Sequence, residues 1–397
     1  MIVAGGGVAG LTAALALVRN GFRVIVLEQS ERLEETGAGI QLSPNATRTL
    51  IGLGLESQLR RHAVAPAALR VLNAVSGREI LRMPLGKAAE QRYGAPYWVI
   101  HRGDLHAVLA AAVTRQLEVT VKLGRRVEDF IAHGNGLTVA TRGSSGAAEE
   151  RGIALLGADG LWSAVRKGIG YEKPPRFVGR TAWRGLVAAR DVAPEFREPL
   201  IHLWLGREAH LVHYPVKSGR IVNIVAITEE SWNAVGWSEP ASRADLITRM
   251  PAEAWAPPAR ALLGLPDAWL KWALCDHPPI KRWSRGPVAL LGDAAHPMLP
   301  YLAQGAAVAI EDAAVAAHCL GREPNNPAGA LRTYCALRCA RTRKIQHLAV
   351  RNGSLYHLGG WIAWLRDIAM QTIGGEHLLR HYDWLYDWRP PADLAIS

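Results

Sequence analysis

Apolar positions dominate the first eighteen residues, broken by glycines at 5, 6, 7 and 10. That run is long enough to suggest a membrane span or a leader. The clustered glycines, the lack of basic residues before it, and the polar turn Arg19-Asn20-Gly21 before a second apolar run argue otherwise. The pattern predicts a strand over 1–5, a helix over 9–20 and a strand over 23–28, a βαβ opening. Residues 37–44 read as a glycine-punctuated loop, with a helix from about Asn45. Short alternating strands follow, at 69–73 and 97–100. Helical periodicity returns over 103–116 with Asp104 as a start signal, then strands over 119–123, 136–141 and 153–158. From 176 to 230 the pattern is strongly β, with antiparallel strands at 200–205, 209–216 and 220–228 and a turn at Lys217-Ser218-Gly219. The Trp- and Pro-rich stretch 232–279 reads as helix and loop. A strand at 288–291 leads to a helix beginning near Gln304, and the chain from Tyr334 onward is helical and rich in tryptophan.

Composition narrows the class. A chain of 397 residues, 49% hydrophobic and 20% charged, suits a folded protein of two intimately associated domains. Four cysteines (Cys275, Cys319, Cys335, Cys339) show neither zinc spacing nor the density of a disulfide framework. They read as thiols of a cytoplasmic protein without a metal centre. The net charge of +11 is dispersed, and its densest cluster (Arg338, Arg341, Arg343, Lys344) falls in a helical stretch, as a solvated face would. With no nucleic-acid motif and no further spanning run, neither nucleic acid nor membrane is an expected partner. Attraction of small anions remains.

Chemistry concentrates in three glycine-rich segments. Gly5-Gly6-Gly7-Val8-Ala9-Gly10 is a G-x-G-x-x-G between a strand and a helix. Gly5 permits the tight turn, Gly7 lets backbone approach a pyrophosphate, and Gly10 lets the helix pack close to the strand. Glu28 ends the next strand, where an acid accepts hydrogen bonds from a ribose. A tight turn that binds nothing is the bland alternative. Gly157-Ala158-Asp159-Gly160 and Leu291-Gly292-Asp293-Ala294-Ala295-His296-Pro297 add two glycine–acid pairs.

Together with His101-Arg102-Gly103-Asp104-Leu105 and Ala303-Gln304-Gly305-Ala306-Ala307, these segments resemble the paired motifs of the flavin-dependent aromatic hydroxylases, typified by 4-hydroxybenzoate hydroxylase. The resemblance covers residues 1 to about 345. Gly37-Ala38-Gly39-Ile40-Gln41-Leu42-Ser43-Pro44-Asn45 and Tyr301-Leu302-Ala303-Gln304-Gly305 are most similar to the branch containing salicylate hydroxylase, 3-hydroxybenzoate 6-hydroxylase and 6-hydroxynicotinate 3-monooxygenase. It implies an α/β fold: a discontinuous Rossmann-like FAD-binding domain (1–70, 97–170 and 280–345), an inserted β-sheet substrate domain (71–96 and 171–279) and a C-terminal helical segment (346–397). FAD would be held by Gly5, Gly7, Val8, Ala9, Gly10, Glu28, Gln41, Arg102, Asp159, Gly292 and Asp293. The backbone after Pro300, including Gly305 and Ala306, would face the flavin ring. NADH or NADPH would donate electrons, with no separate nucleotide-binding domain for it.

A flavin hydroxylase needs a water-excluding pocket and, for a phenol, a base near the hydroxyl. The branch carries a His and a Tyr four residues on, matching His210 and Tyr214, which alternate with Val212 onto one strand face. They read as base and orienting donor, or as a satisfied sheet histidine and a core tyrosine. Pro297, Leu299 and Trp183 are expected to wall the substrate pocket. Arg184 meets either a substrate carboxylate or a structural ion partner, and His296 reads as support for its turn. The expected substrate is a small phenolic or pyridine carboxylate, and the expected state a monomer or homodimer. A hydroxylase of bulkier polycyclic substrates and a non-catalytic flavin protein are the competing readings. A plain NAD-dependent dehydrogenase would leave the Asp159 and Asp293 motifs unexplained.

Overall fold

The computed structural model describes residues 1–33, 37–144, 146–232 and 236–391. Its first sheet has six strands, in the order Ser284–Arg285, Val288–Leu290, Leu155–Gly157, Ile2–Ala4, Val24–Leu27 and Val119–Lys122. All neighbours are parallel except the short edge pair. Ile2, Val3, Ala4, Leu155, Leu156, Val288, Ala289 and Leu290 are fully buried, as an apolar parallel sheet requires. The chain starts at the sheet centre, moves outward through Val24–Leu27 and Val119–Lys122, then returns to the other side of Ile2–Ala4. That reversal leaves a crevice at the carboxyl end of the first strand. Helix Val8–Arg19, entered directly from that end, packs along helix Gly305–Arg322.

The second sheet has eight strands, in the order Ser238–Ala241, Trp269–Asp276, Arg176–Ala188, Ile221–Glu229, Ala209–Val216, Leu200–Gly206, Ala68–Asn73 and Glu79–Pro84. Its pairings are antiparallel except between Leu200–Gly206 and Ala68–Asn73. The expected hairpin turn is present, with Lys217, Ser218 and Gly219 all at positive φ. Trp183, Trp204, Leu211, Ile224 and Ala226 bury one face of this sheet beneath Leu246, Trp255 and Leu262. The other face looks toward the first sheet's crevice.

Four local expectations need correction. Gly39–Leu42 is not loop but a strand, paired with Trp98–His101. The 232–279 stretch contains strand Trp269–Asp276 as well as helices Arg243–Arg249 and Pro257–Leu263. Helix Gly86–Tyr93 lies within the region read only as short strands, a reading that strand Glu79–Pro84 fits. The 136–141 strand belongs to a three-stranded antiparallel sheet with Arg126–His133 and Gly146–Gly152. Those two flanking strands are largely solvent-facing, so they carry little hydrophobic alternation to read.

Helix Pro327–Tyr356 runs without a break past residue 345. Helix Gly360–Ile373 follows and leaves Trp361, Trp364 and Ile368 exposed. Among the described residues no helix is long and apolar enough to cross a membrane, and no group of three or more His, Cys, Asp or Glu is placed to hold a metal ion.

Candidate active site

Sheet register brings the three glycine motifs together. Ala4 pairs with Gly157, and Gly157 with Leu290. The loops Gly5–Gly7, Ala158–Gly160 and Leu291–Asp293 therefore leave adjacent strands at one edge. Gly5 sits at φ +103°, and a Cβ there would run into the Ala158 carbonyl. A Cβ on Gly10 would land on the Gly5 carbonyl oxygen, so only glycine lets this helix start so close to its strand. Gly292, at φ +56°, donates its N–H to Asp312 Oδ2 at 3.1 Å.

A cavity of about 680 Å³ opens along this edge. It runs from Gly5, Gly7, Val8, Ala9 and Glu28, past Arg102, Asp159 and Asp293, to Gln41, His210 and Tyr214. Leu299, Pro300, Gly305 and Ala306 form another part of its wall. Gly10 and Gly292 lie behind the wall and act by packing. The Glu28 carboxylate accepts from Gly6 N at 2.6 Å and Ser30 N at 2.8 Å, which fixes it at the strand end. Asp159 accepts from Ser163 Oγ at 2.5 Å and Val165 N at 3.0 Å, so its carboxylate holds the start of helix Ala164–Gly168. Burial raises its pKa.

Below the crevice, Glu311 and Asp312 are fully buried on helix Gly305–Arg322. Arg338 bridges both, at 2.7 Å each, and Arg341 reaches Glu311 at 2.8 Å. Against the opposing effect of burial, Arg338 and Arg341 hold the Glu311 carboxyl, and His296 and Arg338 the Asp312 carboxyl, below their usual range. Asp312 also takes His296, which is buried and outside the cavity wall. His296 thus supports the turn. Breaking such a buried network costs several kcal/mol, and through Asp312 it fastens the Gly292 backbone.

Strand parity decides which side chains line the far end of the cavity. His210 pairs with Ile227, Val212 with Val225, and Val225 with Arg184. All five line the cavity. Trp183, one residue earlier, points to the opposite face. It is fully buried there, and its indole donates to Thr228 Oγ1 at 3.0 Å. Trp183 is therefore not a pocket residue, and Arg184 takes its place. Pro297 is also displaced: it is buried outside the cavity, its carbonyl accepting from Gln346 Nε2 at 3.0 Å, and Met298 lines the wall instead.

Arg184 has an Nε without a hydrogen-bond partner and, among the described residues, no ion pair. Its guanidinium lies 4.9 Å from the centre of the Trp272 ring. Burial first, and then the charge of Arg102, pulls its pKa down to about 10. It stays charged at neutral pH, a desolvated cation facing a cavity. His210 is buried, and burial holds its pKa well below the ordinary value. Its Nδ1 meets His357 Nε2 at 2.7 Å. Tyr214 is buried with the Gln41 side-chain amide beside its hydroxyl, and Gln41 Oε1 accepts from the Tyr97 hydroxyl at 2.7 Å. Gly39 is tight against the Tyr214 ring and donates its N–H to Asn223 Oδ1 at 2.7 Å, so any side chain at 39 would displace the tyrosine. The sequence reading missed Met298 and His357. His357 offered no signal, because helix Pro327–Tyr356 delivers it from 147 residues away.

A glycine cradle at a parallel-sheet switch point, joined to a partly apolar pocket with buried polar side chains, defines a dinucleotide-dependent oxidoreductase. The chain belongs to the FAD binding domain family, whose model matches residues 1–349. It is 37% identical over 390 residues to 3-hydroxybenzoate 6-hydroxylase 1 of Aquipseudomonas alcaligenes, covering 97% of each chain. To 3-amino-4-hydroxybenzoate 2-monooxygenase of Streptomyces platensis it is 38% identical over 390 residues, 97% of this chain and 94% of that one. Klebsiella pneumoniae HpxO complexed with FAD and uric acid superposes with a TM-score of 0.84 at 26% identity, over 96% of this chain and 94% of the other. The salicylate hydroxylase substrate complex shares the fold, with a TM-score of 0.82 at 24% identity over 99% and 96%. This chain is an FAD-dependent aromatic monooxygenase.

Proposed function

We propose that the enzyme hydroxylates a small phenolic or pyridine carboxylate, with or without loss of the carboxylate, using NADH or NADPH and oxygen. In the simple case an aromatic C–H becomes C–OH, the second oxygen atom leaves as water, and the pyridine nucleotide is oxidised. The observation that carries this reading is Arg184, a half-buried cation on the same cavity face as His210 and Tyr214. Such a cation fits a carboxylate placed in bidentate contact. His210 takes the phenol proton and Tyr214 orients the ring oxygen. The basic surface, net +11, favours an anionic substrate.

The residues present fit FAD. The Gly5–Gly10 turn leaves the space a pyrophosphate needs, Glu28 stands at the ribose end, and Asp293 is exposed on the cavity wall. When bound, FAD supplies the redox chemistry that activates oxygen. The chain's own task is to seat the ring beside it and exclude water, which Val212, Val225, Ile227, Met298 and Leu299 do. In this reading residues 1–70, 97–170 and 280–345 carry the cofactor, and 71–96 with 171–279 carry the substrate. A cytoplasmic monomer or homodimer completes the proposal, since the reaction draws on the cell's pyridine nucleotide.

The test is NADH and NADPH oxidation by the FAD-loaded protein, with and without salicylate, 3-hydroxybenzoate, 4-hydroxybenzoate and 6-hydroxynicotinate, with products identified. Stimulation by one acid and a hydroxylated product are expected. Flavin-replete enzyme that responds to none of the four would remove the small-carboxylate reading.

A further inference from the structure

The base assigned above has a neighbour that no motif announces. His210 lines the cavity, yet its Nδ1 faces away from it, 2.7 Å from Nε2 of His357. His357 caps helix Pro327–Tyr356 and is itself buried. Its backbone is fastened to the same hairpin, since Glu208 N donates to the His357 carbonyl at 3.2 Å just before strand Ala209–Val216 begins. The two rings are enclosed by Tyr301 and Tyr356, with centroids 5.6 and 5.5 Å from His210. His357 Nδ1 has no hydrogen-bond partner. The contact is thus a single hydrogen bond between two buried imidazoles.

Two neutral imidazoles sharing one hydrogen bond must place one proton between them. If His210 carries it on Nδ1, its Nε2 is a bare lone pair for the cavity. If His357 carries it on Nε2, His210 presents an N–H to the substrate and cannot act as a base. Only the first arrangement serves proton abstraction, and it also gives the imidazolium formed on His210 an acceptor for its Nδ1–H. We infer that His357 is the positioning residue of His210, accepting its Nδ1–H and thereby fixing the tautomer and ring orientation that make Nε2 the base. This rests on the reading of His210 as the base.

Both groups are held neutral by their surroundings. Burial lowers the His357 pKa to about 3 and that of His210 well below the ordinary value, and the Arg180 cation lowers both. Arg180, two strands away on Arg176–Ala188, is bonded to Glu229 at 3.1 Å and lies 3.4 Å from the Tyr301 hydroxyl. On the hairpin side, Glu208 directs its carboxylate to Arg207 at 3.1 Å. None of these charges touches the shared hydrogen bond, so the orientation of His210 depends on His357.

The experiment compares flavin-loaded wild type, His357→Phe, His357→Gln and His210→Ala with the substrate found above. Flavin content reports on folding. Coupled hydroxylation is measured from pH 7 to 9.5. Phenylalanine keeps an aromatic ring but removes the acceptor, whereas the glutamine amide oxygen restores one. At pH 7, kcat in His357→Phe is expected to fall about tenfold or more, with KM within about twofold and glutamine recovering much of the loss. The deficit should shrink as pH approaches the phenol's own pKa of about 10, where the substrate supplies its own phenolate. His210→Ala should show the same pH-dependent deficit. A loss in His357→Phe that is equal at every pH and unrescued by glutamine reduces His357 to packing and overturns the inference. So does unchanged turnover in His357→Phe beside a defective His210→Ala. Unchanged turnover in His210→Ala removes the base itself, and the role of His357 with it.

Discussion

Arg184 shows how much one position of strand parity matters. The sequence places Trp183 and Arg184 side by side, and a large aromatic is the natural choice for a pocket wall. The sheet decides otherwise, because Arg184 pairs with Val225 on the cavity face while Trp183 pairs with Ala226 on the buried one. The alternation that correctly grouped His210, Val212 and Tyr214 applies equally to strand Arg176–Ala188. Its absolute phase was hidden, since both faces of that strand are buried over Ala182 and Trp183. Arg184→Gln removes the cation while keeping hydrogen-bond capacity, and losing a charged hydrogen bond costs roughly 1.5–3 kcal/mol. The expected result is KM for the acid raised about ten- to a hundredfold, with flavin content intact. Equal KM values in variant and wild type, from steady-state nucleotide oxidation, would show that the carboxylate sits elsewhere.

At the scale of elements, the cofactor site was legible because its rules are local. Gly5 to Gly10 must be glycine-rich to turn a strand tightly into a helix, and the element ends matched within a residue or two. What the chain could not disclose was how three such turns meet. That depends on the register Ala4–Gly157–Leu290, and no sequence separation encodes it. Gly39–Leu42 was hidden for a related reason: its partner Trp98–His101 lies far along the chain, and its glycines read as loop. Gly39 is glycine to admit the Tyr214 ring, so its composition reflects the site rather than a turn. Two substitutions separate these roles. Gly10→Val would push the helix off the Gly5 carbonyl and should abolish flavin binding, read from the flavin absorbance of purified protein. Gly39→Ala should leave flavin in place and lower turnover by displacing Tyr214; if its coupled hydroxylation equals wild type, Tyr214 does not orient the substrate.

For the molecule as a whole, buried histidines set a limit on the acid side. On the side of the sheet away from the cavity, His202 and His213 stack at 4.4 Å, fully buried, with Phe196 edge-on to both. Burial lowers the pKa of both, His202 to about 3, and Arg70 lies 3.3 Å from the His202 ring. An unfolded chain would protonate these rings near 6.5, so below that pH it binds more protons than the folded one. Stability is therefore full above about pH 6.5 and is lost as pH falls toward 3, at roughly 1.4 kcal/mol per pH unit for each such histidine. His213→Phe suits the test because neither ring nitrogen of His213 has a hydrogen-bond partner, so replacing it with an apolar ring strands no donor or acceptor of its own. Urea midpoints of the FAD-saturated protein between pH 5 and 8 should fall more steeply with acid for wild type than for His213→Phe. Parallel curves for the two proteins would mean that His213 takes no part in acid unfolding, leaving the loss to His202, His210, His357 and the carboxylates.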